Sequence, residues 1–276
     1  MTLKDRIVML SGDYLVLNKL PGESAETAPR EGIIDLPRAL QKELGDGLLP
    51  GAPHRLDVPV SGCTLFTRNP RALSFLSGCF RIPGQVEKIY WAITDPPREA
   101  GGCESPALPT LLAPPEDPVP LEDPAPRDGL GSGWVELVHW LAAGRGNRSL
   151  VHNGPGPGRK KSVLRCRVLG WGDRYIFLEI MLITGRRHQI RAQLSHIGLP
   201  VKGDLKYGAR RSERNGGIRL HCRSLAFPDP AGSGRIIQVE ALPPERDNLW
   251  RAFLEAAGSS QTGGNLPVIP CQGGRI

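Results

Sequence analysis

The chain has 276 residues, 39% hydrophobic and 23% charged, enough for one large domain or two small ones with a buried core. No apolar run approaches the roughly 18 residues of a membrane span, and MTLKDRIVML at the start has a charge pair and no long apolar stretch. Neither a membrane protein nor a signal peptide is therefore expected, and six cysteines without a CxxC pair argue against a zinc ribbon or disulfide framework and for a cytoplasmic protein with reduced thiols. The formal charge of +7 is compatible with a polyanionic partner.

In chain order, Asp13–Asn18 is apolar and β-prone, and Leu20-Pro21-Gly22 turns the chain. A helix is predicted from Leu36, with Asp35 as its cap, Pro37 in its first turn and Gly45 as its stop; Leu36, Leu40 and Leu44 share one face. Cys63–Thr67 reads as a strand, and Asn69-Pro70 opens a helix to about Phe80 with Leu73, Leu76 and Phe80 inside. Lys88–Thr94 is a second strand, with Lys88, Tyr90 and Ala92 on one face and Ile89, Trp91 and Ile93 on the other. From Asp95 to Gly133 there are eight acids, two arginines and ten of the 27 prolines, which predicts an extended acidic insertion that adds nothing to the core. That segment carries −6, so the remainder carries +13.

Beyond it, Val163–Leu169 and Tyr175–Leu182 read as a hairpin across Gly170-Trp171-Gly172-Asp173. A helix is predicted at about Gln189–Ile197, stopped by Gly198 and Pro200. Strands at Ile218–Leu225 and Ile236–Leu242 and a helix at Glu245–Ala257 follow, and residues 258–276 read as a loose tail. Strands outnumber helices without alternating with them, which predicts an α+β domain over residues 1–257 with a largely antiparallel sheet.

Three clusters are candidates for chemistry, against plainer readings as a surface ion pair, a solvated charged face and a core or rim tyrosine. His54-Arg55-Leu56-Asp57 with Ser61-Gly62 places a carboxylate at a turn before a strand. Thr184-Gly185-Arg186-Arg187-His188-Gln189-Ile190-Arg191 runs from a strand end into a helix, and ten Lys/Arg against two acids between Thr184 and Arg223 favour phosphate. Lys88-Ile89-Tyr90-Trp91-Ala92 puts an aromatic on a basic face. P-loop, G-x-G-x-x-G, H-E-x-x-H and G-x-S-x-G motifs are absent, and His188 and His196 lack the companions of a metal site, so no metal or cofactor is expected.

Together these clusters resemble the RluA-type pseudouridine synthases. His54–Asp57 with Ser61-Gly62 is similar to that family's catalytic-Asp motif, Lys88–Ala92 to its K-x-Y-x-A motif, and Leu182–Arg191 to its L-x-T-G-R-x-H-Q-I-R motif. Ser195–Gly208 continues the last of these, Leu220–Phe227 is similar to L-H-A-x-x-L-x-F, and Leu17–Gly22 to the opening N-K-P-x-G. Val58-Pro59-Val60, Cys63 and Arg187 depart from the common residues at their positions. The matches run from residue 13 to about 244, omitting the insertion, and no N-terminal S4-like domain is expected.

The resemblance implies a pseudouridine synthase fold with a central basic cleft. It also implies isomerisation of uridine in rRNA or tRNA, in which the N1–C1′ bond is broken and a C5–C1′ bond made. It implies Asp57 as the nucleophile, acting at C1′ or through a glycal, Arg191 as its charged partner and Tyr90 stacked on a flipped base and assisting proton removal at C5. Lys19, Arg55, Arg186, Arg187, His188 and Lys202 are the implied RNA contacts, and the protein is expected to act as a monomer. The alternative reading is a non-catalytic RNA-binding or ribosome-assembly protein on the same fold; a phosphoester hydrolase using Asp57 lacks a second acidic ligand beside it.

Overall fold

A computed structural model describes residues 2–27, 31–45, 47, 49–97, 107–112, 133–172, 174–244 and 247–257. The first part of the chain supplies β1 (Ile7–Leu10), β2 (Tyr14–Lys19), the two-residue strands β3 (Glu23–Ser24) and β4 (Ile34–Asp35), α1 (Leu36–Leu44), β5 (Ser61–Thr67), α2 (Pro70–Arg81) and β6 (Glu87–Thr94). There follow α3 (Ala107–Leu112), β7 (Val135–Ala143), β8 (Ser149–His152), β9 (Lys160–Trp171), β10 (Ile176–Leu182), α4 (Gln189–His196), β11 (Leu220–Pro228), β12 (Ile236–Glu240) and α5 (Asn248–Ala256). Among the described residues, no helix is long and apolar enough to cross a membrane.

The helices start where local chemistry starts them. Asp35 accepts a hydrogen bond from the Arg38 backbone N–H at 3.1 Å, Pro37 lies in the first turn, and Gly45 closes α1 at φ 68°. Asn69 caps α2 by accepting from Ala72 N–H at 2.8 Å, and Asp247 caps α5 in the same way from Trp250. The fold is α+β, as the excess of strands predicts. One ten-stranded sheet runs β1-β2-β5-β11-β6-β10-β9-β7-β8, with β12 beside β11, and every pair in it is antiparallel except β5 with β11.

That parallel pair brings the two halves of the chain together. Gly62 lies opposite Cys222 with φ 116°, and a Cβ there would sit 2.3 Å from the Cys222 carbonyl oxygen, so only glycine allows the strands to approach. The alternation expected in β6 holds: Tyr90 and Ala92 enter the main core, while Trp91 and Ile93 pack on Phe253 and Trp250 of α5.

Two features differ from the sequence expectation. The strands β1, β7 and β8 had no clear signal. In β7 the inward positions are Val135, Leu137, His139 and Leu141, and the polar third member interrupts the apolar alternation. His139 is accommodated by the Gln193 side chain, 2.9 Å from its Nδ1. The second difference is a correction: the acidic segment does reach the core. Its helix α3 packs on β7 and β9, and Leu111 is 3% exposed within the main apolar cluster. Most of that segment, and the tail from 258, lie outside the described residues. Leu111→Ala is expected to cost about 2–4 kcal/mol, the usual range for a buried leucine truncation, measurable by urea denaturation. A loss under about 0.5 kcal/mol would mean that α3 is peripheral after all.

Candidate active site

Asp57 sits on the loop between α1 and β5, and each of the four carbonyls from 57 to 60 has a donor. Val60 N–H closes on Asp57 O at 3.0 Å, Gly22 N–H on Val58 O at 3.0 Å, and Ile218 N–H on Pro59 O at 3.0 Å. Lys19 supplies the rest: its Nζ donates to Leu20 O, Val58 O and Val60 O at 2.9, 3.1 and 2.6 Å. Burial lowers the Lys19 pKa to about 7, with Glu23 and Asp57 pulling the other way. Lys19 is fully buried, so the expectation of an RNA contact there is corrected. Two of its three hydrogen bonds hold the loop that presents Asp57.

Arg191 comes from the first turn of α4 and reaches the same point, although 134 residues separate it from Asp57 in sequence. Its Nη1 donates to Asp57 Oδ2 at 2.8 Å. Its other edge is gripped by Asp204, with Nε to Oδ2 at 2.6 Å and Nη2 to Oδ1 at 2.9 Å, a bidentate pair that fixes the guanidinium plane. Burial opposes the Arg191 charge, and the two carboxylates more than offset it, so the group stays protonated. Asp57 Oδ1 has no hydrogen-bond partner among the described residues, and Asp57 lines a cleft of about 290 Å³.

Tyr90 and Leu220 form part of the cleft wall, and Arg55, Lys88, Arg186 and His188 also line it. Tyr90 is 6% exposed with Cys222 beside its hydroxyl, and burial raises its pKa well above the phenol range, so it remains a neutral phenol. His54 does not enter the chemistry: its Nε2 accepts from Leu65 N–H at 2.9 Å, its ring stacks on Phe80, and burial lowers its pKa to about 3.

The structure separates the remaining implied RNA contacts. Arg55 and Arg186 are exposed on the cleft, Arg55 paired with Glu26. Arg187 is also exposed, and its carbonyl accepts from Ser149 Oγ at 2.7 Å. His188 is half-buried, with Nε2 at 3.7 Å from Asp57 Oδ2. Lys202 is a second correction. It is paired with Glu213, lies over the Tyr175 ring at 5.6 Å, and faces a different surface from the cleft of Asp57. The turn before α4 is also less open to anions than its arginines suggest. Gln189 Oε1 accepts from both Arg186 N–H and Thr184 Oγ1 at 2.9 Å. Asp204 and Tyr207, both at the site, have no local sequence signal that marks them; each becomes visible only through the run that continues the Arg191 motif.

The model of the RNA pseudouridylate synthase family matches residues 13–196. An uncharacterized RNA pseudouridine synthase of Zymomonas mobilis is 28% identical over 227 residues, covering 81% of this chain and 87% of that one. The tRNA pseudouridine synthase C of Pasteurella multocida is 27% identical, covering 70% of this chain and 72% of its own. Among solved structures, human RNA pseudouridylate synthase domain containing 4 covers 93% of this chain and 94% of its own with a TM-score of 0.62 at 17% identity, a likeness of fold. The chain belongs to the RNA pseudouridylate synthase family. It is an isomerase whose substrate is RNA.

Proposed function

We propose that the cleft converts specific uridines of structured RNA, tRNA or rRNA, to pseudouridine, with Asp57 as the nucleophile. The observation that carries this is the asymmetry of the Asp57 carboxylate: Oδ2 is held by Arg191, while Oδ1 is unbonded among the described residues, in a cleft that Tyr90 also lines. Arg191 holds the carboxylate through a charge-assisted hydrogen bond to one oxygen. Held by one oxygen, it presents the other to the sugar of a base flipped out of its stack. Tyr90 supplies an aromatic surface for that base, and its neutral hydroxyl fits packing better than proton removal. Arg55 and Arg186 at the cleft are placed for phosphates, and the name of the Pasteurella relative supports a tRNA target.

A binding protein on the same fold has no use for a guanidinium shared between two carboxylates, which favours the enzyme over that alternative. RNA labelled with [5-³H]uridine distinguishes them, because forming the C5–C1′ bond expels the C5 hydrogen. Release of tritium to solvent is the expected result; RNA bound by the pure protein with all its tritium retained would leave only the binding reading.

A further inference from the structure

We infer that Tyr207 and His188 are a positioning pair for Asp57. The Tyr207 hydroxyl holds His188 in the tautomer with its proton on Nε2, and that N–H faces Asp57 Oδ2, leaving Oδ1 as the reacting oxygen. The inference rests on the reading of Asp57 as the nucleophile.

The direction of the hydrogen bonds follows from the donors present. Ser149, the first residue of β8, donates its backbone N–H to the Tyr207 hydroxyl oxygen at 2.7 Å. The same hydroxyl lies 2.9 Å from His188 Nδ1. If Nδ1 carried the proton, two donors would crowd one phenol oxygen, and its own O–H would have no acceptor among the described residues. With the phenol donating to Nδ1, the Tyr207 hydroxyl and Nδ1 are both satisfied, and the single proton of the neutral ring sits on Nε2. That atom is 3.7 Å from Asp57 Oδ2, the oxygen that Arg191 already reaches at 2.8 Å. The contact is longer than a hydrogen bond, as catalytic contacts often are before substrate binds.

Three further observations point the same way. Burial lowers the His188 pKa to about 4 against the pull of Asp57, so the ring is neutral and its single proton has a defined place. The His188 backbone is left-handed, at φ 51° and ψ 22°, a conformation that histidine adopts at a cost. Tyr207 is itself immobilised, because its carbonyl accepts from Ser195 Oγ at 2.6 Å and the Arg191 guanidinium lies 5.0 Å over its ring. The turn that carries Tyr207 also carries Asp204, which grips Arg191. Both N–H groups that face Asp57 Oδ2 are therefore oriented from one turn, as ligand-orienting partners are around other polar sites.

The experiment joins a spectrum to kinetics. Long-range ¹⁵N–¹H NMR on the full chain, with His188 assigned by its loss in His188→Asn, is expected to show the Nε2–H tautomer. Tyr207→Phe is expected to give a mixture. In tritium release, Tyr207→Phe should lower kcat about tenfold or more with KM within about twofold, because orientation rather than binding is lost. His188→Asn keeps a residue at ease in the left-handed region but has no amide nitrogen at the Nε2 position, so it should be slow. His188→Gln places its amide nitrogen there and should recover part of kcat. An Nδ1–H tautomer in the wild type overturns the proposal, and so does His188→Asn turning over as fast as the wild type or faster than His188→Gln. A wild-type protein that releases no tritium fails the reading of the cleft instead, and the spectrum still decides the orientation of His188.

Discussion

Asp57→Asn is expected to lower tritium release by at least about 10³-fold, since a nucleophile has no substitute among the groups around it. The change is nearly isosteric. The amide oxygen can still accept from Arg191, so the loop held by Lys19, Gly22 and Ile218 keeps its shape. RNA affinity should stay within about twofold, because binding draws on phosphates at the exposed arginines rather than on a carboxylate. Filter binding and tritium release on the same preparation make the comparison. A variant retaining a tenth of wild-type turnover would remove Asp57 from the role of nucleophile.

The second large effect is on stability as much as on rate. Arg191→Met deprives Asp57 of its partner, and it also strands Asp204, which is 1% exposed and bonded to Arg191 through both oxygens. An abandoned buried carboxylate costs about 3–5 kcal/mol. Arg191→Met should therefore unfold at markedly lower urea as well as lose turnover. Adding Asp204→Leu removes the stranded charge and should restore most of the stability without restoring activity. Equal stability of the single and double variants would show that Asp204 does not depend on Arg191. Arg186→Met, at an exposed position on the cleft, gives the contrast: weaker RNA binding with the urea midpoint unchanged.

How much of this was legible in the chain varies with the range of the forces involved. Asp35, Gly45 and Asn69 marked helix ends correctly because a cap is satisfied within three or four residues. The β6 alternation was legible because period 2 is a property of the strand itself. Asp57, Tyr90 and Arg191 stood out through the order and spacing of their motifs. By contrast, β7 was hidden by His139, whose burial is acceptable only with Gln193 of α4 beside it, 54 residues further on.

Lys19 and Lys202 show the same limit at the site. Nothing local distinguishes a lysine that reaches RNA from one that is consumed inside the protein. Lys19 is buried because the carbonyls of Val58 and Val60, 39 and 41 residues away, converge on its Nζ. Lys202 is diverted by Glu213, which the turn at Gly203 to Gly217 brings against it. The sequence by itself determined the class of the fold, the helix boundaries with strong caps and the residue types able to do the chemistry, because each depends on neighbours along the chain. Only the tertiary structure decided that Asp204 shares Arg191 with Asp57, that Tyr207 addresses His188 and that Lys19 faces inward. Those are pairings of buried polar groups, and burial exists only once distant segments have closed over them.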